Sequence, residues 1–206
     1  MGDYRTMKDK ANEVDKDIFC YIFGYGSLMY PSGINGRGLA HKYIWEDLYT
    51  ATLCGYKRGM FANYAGLLYY GIMKSSNAVV EGVLVPIFSK ADFEALLINE
   101  CAHDKYKNTS SGKIYEITDV TKLICRYNYL AQIVVPIHTL VNEADRSEGG
   151  RIPPWYIADV WHGILPLGQI FMEKLRHTGI IQPSNKCMKM RYVYNVLKFT
   201  RRIIRR

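Results

Sequence analysis

The chain has 206 residues, 49% of them hydrophobic and 22% charged, with a formal net charge of +8; these are ordinary globular values, and the length suits one domain with a substantial core. Five cysteines, odd in number and scattered without CxxC spacing, argue against a disulfide framework or a zinc site and for a reducing compartment. The longest near-apolar segment, Tyr129 to Val141, is too short for a membrane span and contains Gln132, Pro136 and His138, so the chain reads as soluble and cytoplasmic.

Residues 1–17 are polar and mixed in charge and read as a lead-in. From Ile18 an apolar, β-branched and aromatic run continues to Phe23 and stops at Gly24-Tyr25-Gly26-Ser27-Leu28. The pattern predicts a strand buried on both faces, ending in a tight turn. Glycine has no Cβ, so the backbone at Gly24 and Gly26 can turn sharply and offer successive N–H groups to a small anion. An ordinary strand-ending loop has the same pattern, so a second feature is needed. Pro31 to Gly38 is rich in breakers and predicts a long surface loop. Leu48 to Met60 predicts a strand bent at Gly55, and Leu67 to Met73 and Val79 to Phe88 predict two more. Pro86 marks an edge position or a strand end.

The second feature is a helix. Ser89 and Asp92 have N-cap spacing, with an acid near the positive end of the dipole. Phe93, Leu96 and Leu97 then repeat at i, i+3, i+4, and the next member of that face is Glu100. A period of 3.6 residues therefore turns a carboxylate toward the core. Burying an ionised carboxylate without partners costs several kcal/mol, so such a residue has a partner or a task. The alternative is a helix that ends at Asn99, with Glu100 capping it or pairing at the rim.

Further strands are predicted at Ile114 to Thr118, Leu123 to Tyr127 and Tyr129 to Ile137. Pro153-Pro154 opens a helix over Trp155 to His162, Gly163 and Pro166 break it, and Ile170 to His177 forms another. From Lys186 to Arg206 there are eight Lys/Arg and no Asp or Glu. The charge excess therefore lies in a basic tail, either simply solvated or in contact with anionic lipid or nucleic acid.

Taken together, Phe23-Gly24-Tyr25-Gly26-Ser27-Leu28, Glu81-Gly82-Val83-Leu84-Val85-Pro86 leading into Phe93 to Glu100, and then Tyr106 resemble the signature of the γ-glutamylcyclotransferase-like superfamily. So do Cys125 to Leu130 with Tyr129, and Pro153-Pro-Trp-Tyr156 with Gly163 and Glu173 to Leu175. Cys101 stands where the family usually has glycine after its acid. The resemblance implies an α+β fold, a small mixed β-barrel flanked by short helices, over residues 18–180, with 1–17 a lead-in and 181–206 a basic extension. It also implies an enzyme: the α-amine of a γ-glutamyl group attacks its own γ-carbonyl, closing 5-oxoproline and releasing an amine. Glu100 would then be the general acid and base, and the backbone of Tyr25, Gly26, Ser27 and Leu28 would hold the glutamyl carboxylate. Tyr106, Tyr129 and Tyr156 would line the pocket, and no metal or nucleotide cofactor is needed.

Rival chemistries have less behind them. Cys101 and His103 could form a cysteine hydrolase, but i,i+2 residues at a helix end do not face each other. The glycine loop lacks the third glycine and βαβ spacing of a dinucleotide site, and the five histidines show no metal spacing. The non-enzymatic alternative is a binding or regulatory protein that reuses the cyclotransferase fold and is tethered by its basic tail. The sequence leaves the leaving group and the oligomeric state open.

Overall fold

The computed structural model describes residues 17–106, 113–127, 133 and 135–184; the basic tail and Tyr129 lie outside them. Six strands form one mixed sheet: β1 (Cys20–Gly24), β2 (Tyr49–Tyr64), β3 (Leu67–Ile87), β4 (Glu116–Asp119), β5 (Ile124–Tyr127) and β6 (Ile137–Val141), in the order β4-β6-β1-β3-β2-β5. The pairing of β1 with β6 is parallel and the rest are antiparallel. The sheet curls into a half-barrel with a few short helices: α1 (Pro31–Asn35), α2 (Lys90–Asn99), α3 (Pro154–Ile164) and α4 (Gln169–His177). No helix among the described residues is long and apolar enough to cross a membrane.

Every residue of β1 is buried, as its unbroken apolar run requires of a strand covered on both faces. Ile22, Phe23, Leu53, Ile72 and Leu84 are wholly buried. At about 1.5–3 kcal/mol for each such side chain, they outweigh any single polar contact in the molecule. Helices α3 and α4 close over this core with Ile157, Val160, Ile164, Met172 and Leu175.

The structure corrects four expectations. Leu67 to Met73 and Val79 to Phe88 belong to one continuous strand, β3, that pairs with β2 from Tyr49↔Leu84 to Tyr64↔Leu67. The pairing register shifts between Cys54 and Tyr56, at Gly55, whose φ of +82° suits the expected bend. Pro86 takes the second of its two expected places: it is not in an edge strand but lies at the end of β3, past Leu84, where pairing with β2 has stopped. Of the strand expected at Tyr129 to Ile137, Ile133, Val135 and Pro136 lie outside any strand and β6 starts at Ile137, while Tyr129 to Gln132 and Val134 are not among the described residues.

The breaker-rich stretch from Pro31 to Gly38 contains α1, preceded by a 3-10 turn at Ser27–Met29. Proline at the first helical position fixes φ for the helix. Gly33 is there for close approach: a Cβ on it would lie 1.8 Å from the carbonyl oxygen of Ser27.

Finally, against the reading of the scattered cysteines as free thiols without a disulfide framework, Cys54 of β2 and Cys125 of β5 are joined in a disulfide, with Cα atoms 6.2 Å apart. Their separation of 71 residues leaves no local spacing to read. Only the pairing of β2 with β5 brings them together.

Candidate active site

Helix α2 starts as its sequence predicts, with the Ser89 hydroxyl accepting the N–H of Asp92 at 3.0 Å. Leu96 and Leu97 are buried, and Phe93 packs against the core. The helix ends at Asn99, with Glu100 as its C-cap residue. Cys101 follows with φ of +53°, and the N–H groups of Ala102 and His103 both return to the carbonyl of Leu97. This left-handed closure is the kind glycine usually provides at a helix end.

Glu100 does not sit at a solvent rim. Its side chain is 14% exposed and lines a cavity of about 570 Å³ that Tyr25, Gly26, Ser27 and Leu28 also line. The two expected halves of the site therefore share one cavity. Gly24 allows the loop to fold back on itself, since a Cβ there would lie 2.6 Å from the carbonyl oxygen of Leu28. Gly26 packs beneath Tyr156, whose hydroxyl would be 3.2 Å from an added Cβ. Ser27 and Leu28 open the 3-10 turn, and the first N–H groups of a helical turn have no partner within it.

The tyrosines divide by role. The Tyr25 side chain is structural: its hydroxyl donates to the Leu140 carbonyl at 2.6 Å. Burial, followed by the charge of Glu100, holds the Tyr25 phenol well above its usual range. Tyr156 lines the cavity as expected, and its hydroxyl accepts the N–H of Tyr70 at 3.4 Å. Tyr106 closes a short 3-10 turn at Asp104–Tyr106; its side chain, like Tyr129, is outside the described residues. Among residues the sequence did not single out, Tyr115 lines the cavity and donates to the Tyr70 carbonyl at 3.0 Å. Tyr30 donates to Asp159 at 3.0 Å. Tyr70 joins these to the end of the described chain: its hydroxyl accepts the N–H of Ile181 at 2.8 Å.

The residue most clearly missed is Arg37. Its Nε donates to Glu100 Oε1 at 2.5 Å, its Nη2 to the Ser27 hydroxyl at 2.7 Å and its Nη1 to the Gly33 carbonyl at 3.2 Å. Burial is the largest single influence and pulls the guanidinium pKa down, but the charge and the hydrogen bond of Glu100, together with Tyr156 and Tyr30, raise it overall. Among the described residues that line the cavity, Arg37 is the sole cation, and Glu100 and Asp159 are the carboxylates.

Cys101 and His103 do not form a nucleophilic pair. His103 Nε2 lies 3.1 Å from Glu94, and its Nδ1 accepts the Lys105 N–H. Burial and then Glu100 push the Cys101 thiol up, away from the reactive thiolate. No cluster of metal-ligating side chains occurs among the described residues. The cavity is thus lined by the glycine loop and the start of its 3-10 turn, by the carboxylates of Glu100 and Asp159, and by the guanidinium of Arg37.

No protein-family model matches the chain, and no curated protein matches it. Solved structures do. YkqA from Bacillus subtilis is 20% identical with a TM-score of 0.53, over 85% of this chain and 58% of that one. A structure described as a γ-glutamyl cyclotransferase is 18% identical with a TM-score of 0.52, over 84% of this chain and 97% of that one. The chain therefore spans little more than half of the first and almost all of the second, and what it shares with both is the fold.

Proposed function

From a γ-glutamylcyclotransferase-like fold with Glu100 and the glycine loop around one cavity, we propose that this chain cyclises a γ-glutamyl group to 5-oxoproline and releases an amine, amino acid or peptide. The observation that carries the reading is the inward carboxylate of Glu100 on the cavity that Gly26 and Ser27 also line.

In the proposed reaction the substrate's carboxylate lies on the N–H groups of the glycine loop. Each hydrogen bond to a charged acceptor contributes about 1.5–3 kcal/mol. Glu100 takes a proton from the α-ammonium, and the free amine attacks the γ-carbonyl carbon. A C–N bond forms and the original amide C–N bond breaks; Glu100 gives its proton to the leaving nitrogen, and the surplus proton on the newly acylated nitrogen follows by the same carboxylate, so the lactam is left neutral and the amine departs as an ammonium. Atoms balance without water or an oxidant. Because both partners are in one molecule, the protein supplies mainly orientation and the proton transfer, which is worth roughly 10²–10⁴-fold.

The test is 5-oxoproline release from a panel of γ-glutamyl amino acids, amines and peptides, with wild type and Glu100→Gln side by side. Turnover is expected to fall about 10²–10⁴-fold in a variant that melts like wild type. A folded Glu100→Gln chain with near-wild-type turnover would falsify the assignment.

A further inference from the structure

The guanidinium of Arg37 binds both halves of the proposed machinery at once. Its Nε holds the Glu100 carboxylate at 2.5 Å and its Nη2 holds the Ser27 hydroxyl at 2.7 Å. Its main chain is tied to the same place, because the Asn99 side chain, next to Glu100, donates to the Arg37 carbonyl at 2.8 Å. Those partners lie 63 and 62 residues away in sequence. Arg37 is thus the described side chain that fixes the distance from the end of α2 to the glycine loop. Its side chain is 24% exposed, and its planar fork can meet two oxygens in fixed directions, which a lysine ammonium cannot do with the same geometry.

We infer that Arg37 is a positioning residue: it holds Glu100 in register with the loop that receives the substrate's carboxylate, so that one carboxylate can take a proton and return it at the same place. The inference rests on the cyclotransferase reading of Glu100. When Glu100 accepts the ammonium proton its ion pair with Arg37 is lost, but the bonds from Arg37 to Ser27 and to the Gly33 carbonyl remain. The guanidinium therefore stays in place while the amide bond exchanges, and Glu100 has a fixed partner to return to. Such a residue acts on the proton transfer and hence on kcat. A residue that gripped the substrate would act on KM.

The experiment uses the full chain with Arg37→Gln, Arg37→Lys and Ser27→Ala, each alone, and Arg37→Gln also combined with Glu100→Gln. Steady-state kinetics are followed by 5-oxoproline release, and folding by thermal melting. Arg37→Gln is expected to lower kcat about 10–100-fold while KM stays within about threefold, and Arg37→Lys to recover part of the loss. In the Glu100→Gln background the Arg37→Gln effect should shrink to about twofold or less, because there is no carboxylate left to position. Ser27→Ala cuts only the loop end of the clamp and should cost about 2–5-fold in kcat. It decides the matter if Arg37→Gln does not fold. Unchanged kcat in Arg37→Gln, a loss confined to KM, or equal losses with and without Glu100 each overturn the inference and leave the cyclotransferase reading standing. Absence of 5-oxoproline from wild type on every substrate removes both.

Discussion

Cys101 adopts a backbone conformation that L-residues avoid, with φ of +53° immediately after the proposed catalytic acid. The left-handed region costs a non-glycine residue roughly 1–2 kcal/mol, and glycine costs about 0.5–1 kcal/mol of unfolded-chain entropy in exchange. Cys101→Gly should therefore leave stability unchanged or raise it by up to about 1 kcal/mol, whereas Cys101→Val should lower it, both read from urea midpoints. The same position tests the rival chemistry. Cys101→Ser should keep most of the turnover, since the thiol is held up by burial and His103 is turned toward Glu94; a collapse in turnover would restore the cysteine-hydrolase reading. At this scale the sequence is legible where geometry is local. The inward direction of Glu100 follows from three apolar residues on one helical face. Arg37 gives no comparable sign, because the carboxylate it holds is 63 residues away and nothing in the neighbourhood of Arg37 marks it as paired.

Helix α1 shows what composition conceals at the scale of an element. The glycines and proline between Pro31 and Gly38 look like loop punctuation, yet Pro31 starts the helix and Gly33 lets it lie against the glycine loop. Substituting Gly33 with alanine would place a methyl 1.8 Å from the Ser27 carbonyl oxygen, and the atom it meets is backbone, with no flexible end to yield. Gly33→Ala is expected to cost about 1–3 kcal/mol of stability, the usual penalty of overpacking. It should also reduce turnover more than its stability loss explains, because the atom displaced belongs to Ser27. Unaltered kinetics in a folded Gly33→Ala chain would mean that the loop's position is not critical. Strand β3 conceals the opposite error. Lys74 to Asn77 interrupt the apolar pattern and suggest a gap, but pairing with β2 resumes on both sides of the Gly55 irregularity, so the strand runs on. Hydrophobic pattern reports burial, and an exposed stretch of strand lacks the signal that would reveal it.

Across the whole molecule, the last described segment supports the cavity wall from behind. Arg58, buried on β2, donates to the Glu81 carbonyl and to the Thr178 carbonyl, while the Ile181 N–H reaches the Tyr70 hydroxyl. Tyr70 in turn donates its N–H to Tyr156 and accepts from Tyr115 through its carbonyl. A chain ended at Ser184 should keep its melting temperature and KM. One ended at Gly179 loses buried Ile180, worth about 1.5–3 kcal/mol, and should bind substrate more weakly as Tyr70 loosens. Identical kinetics for the two truncations would show that the segment gives the site no support. The overall architecture was accessible from residue order, because the glycine loop, the capped helix and the proline-led helix are each local signatures. The cross-sheet partnerships were not, because they depend on which strands become neighbours.

The sulfur bridge from Cys54 to Cys125 is one of those partnerships, and it fastens the short outermost strand to the long ribbon beside it. Folding that brings two thiols together favours their oxidation by the same free energy with which the bond favours folding, so reductant in the buffer becomes a hidden variable of every melting curve. Two laboratories working with and without thiol additives would be measuring different proteins under one sequence.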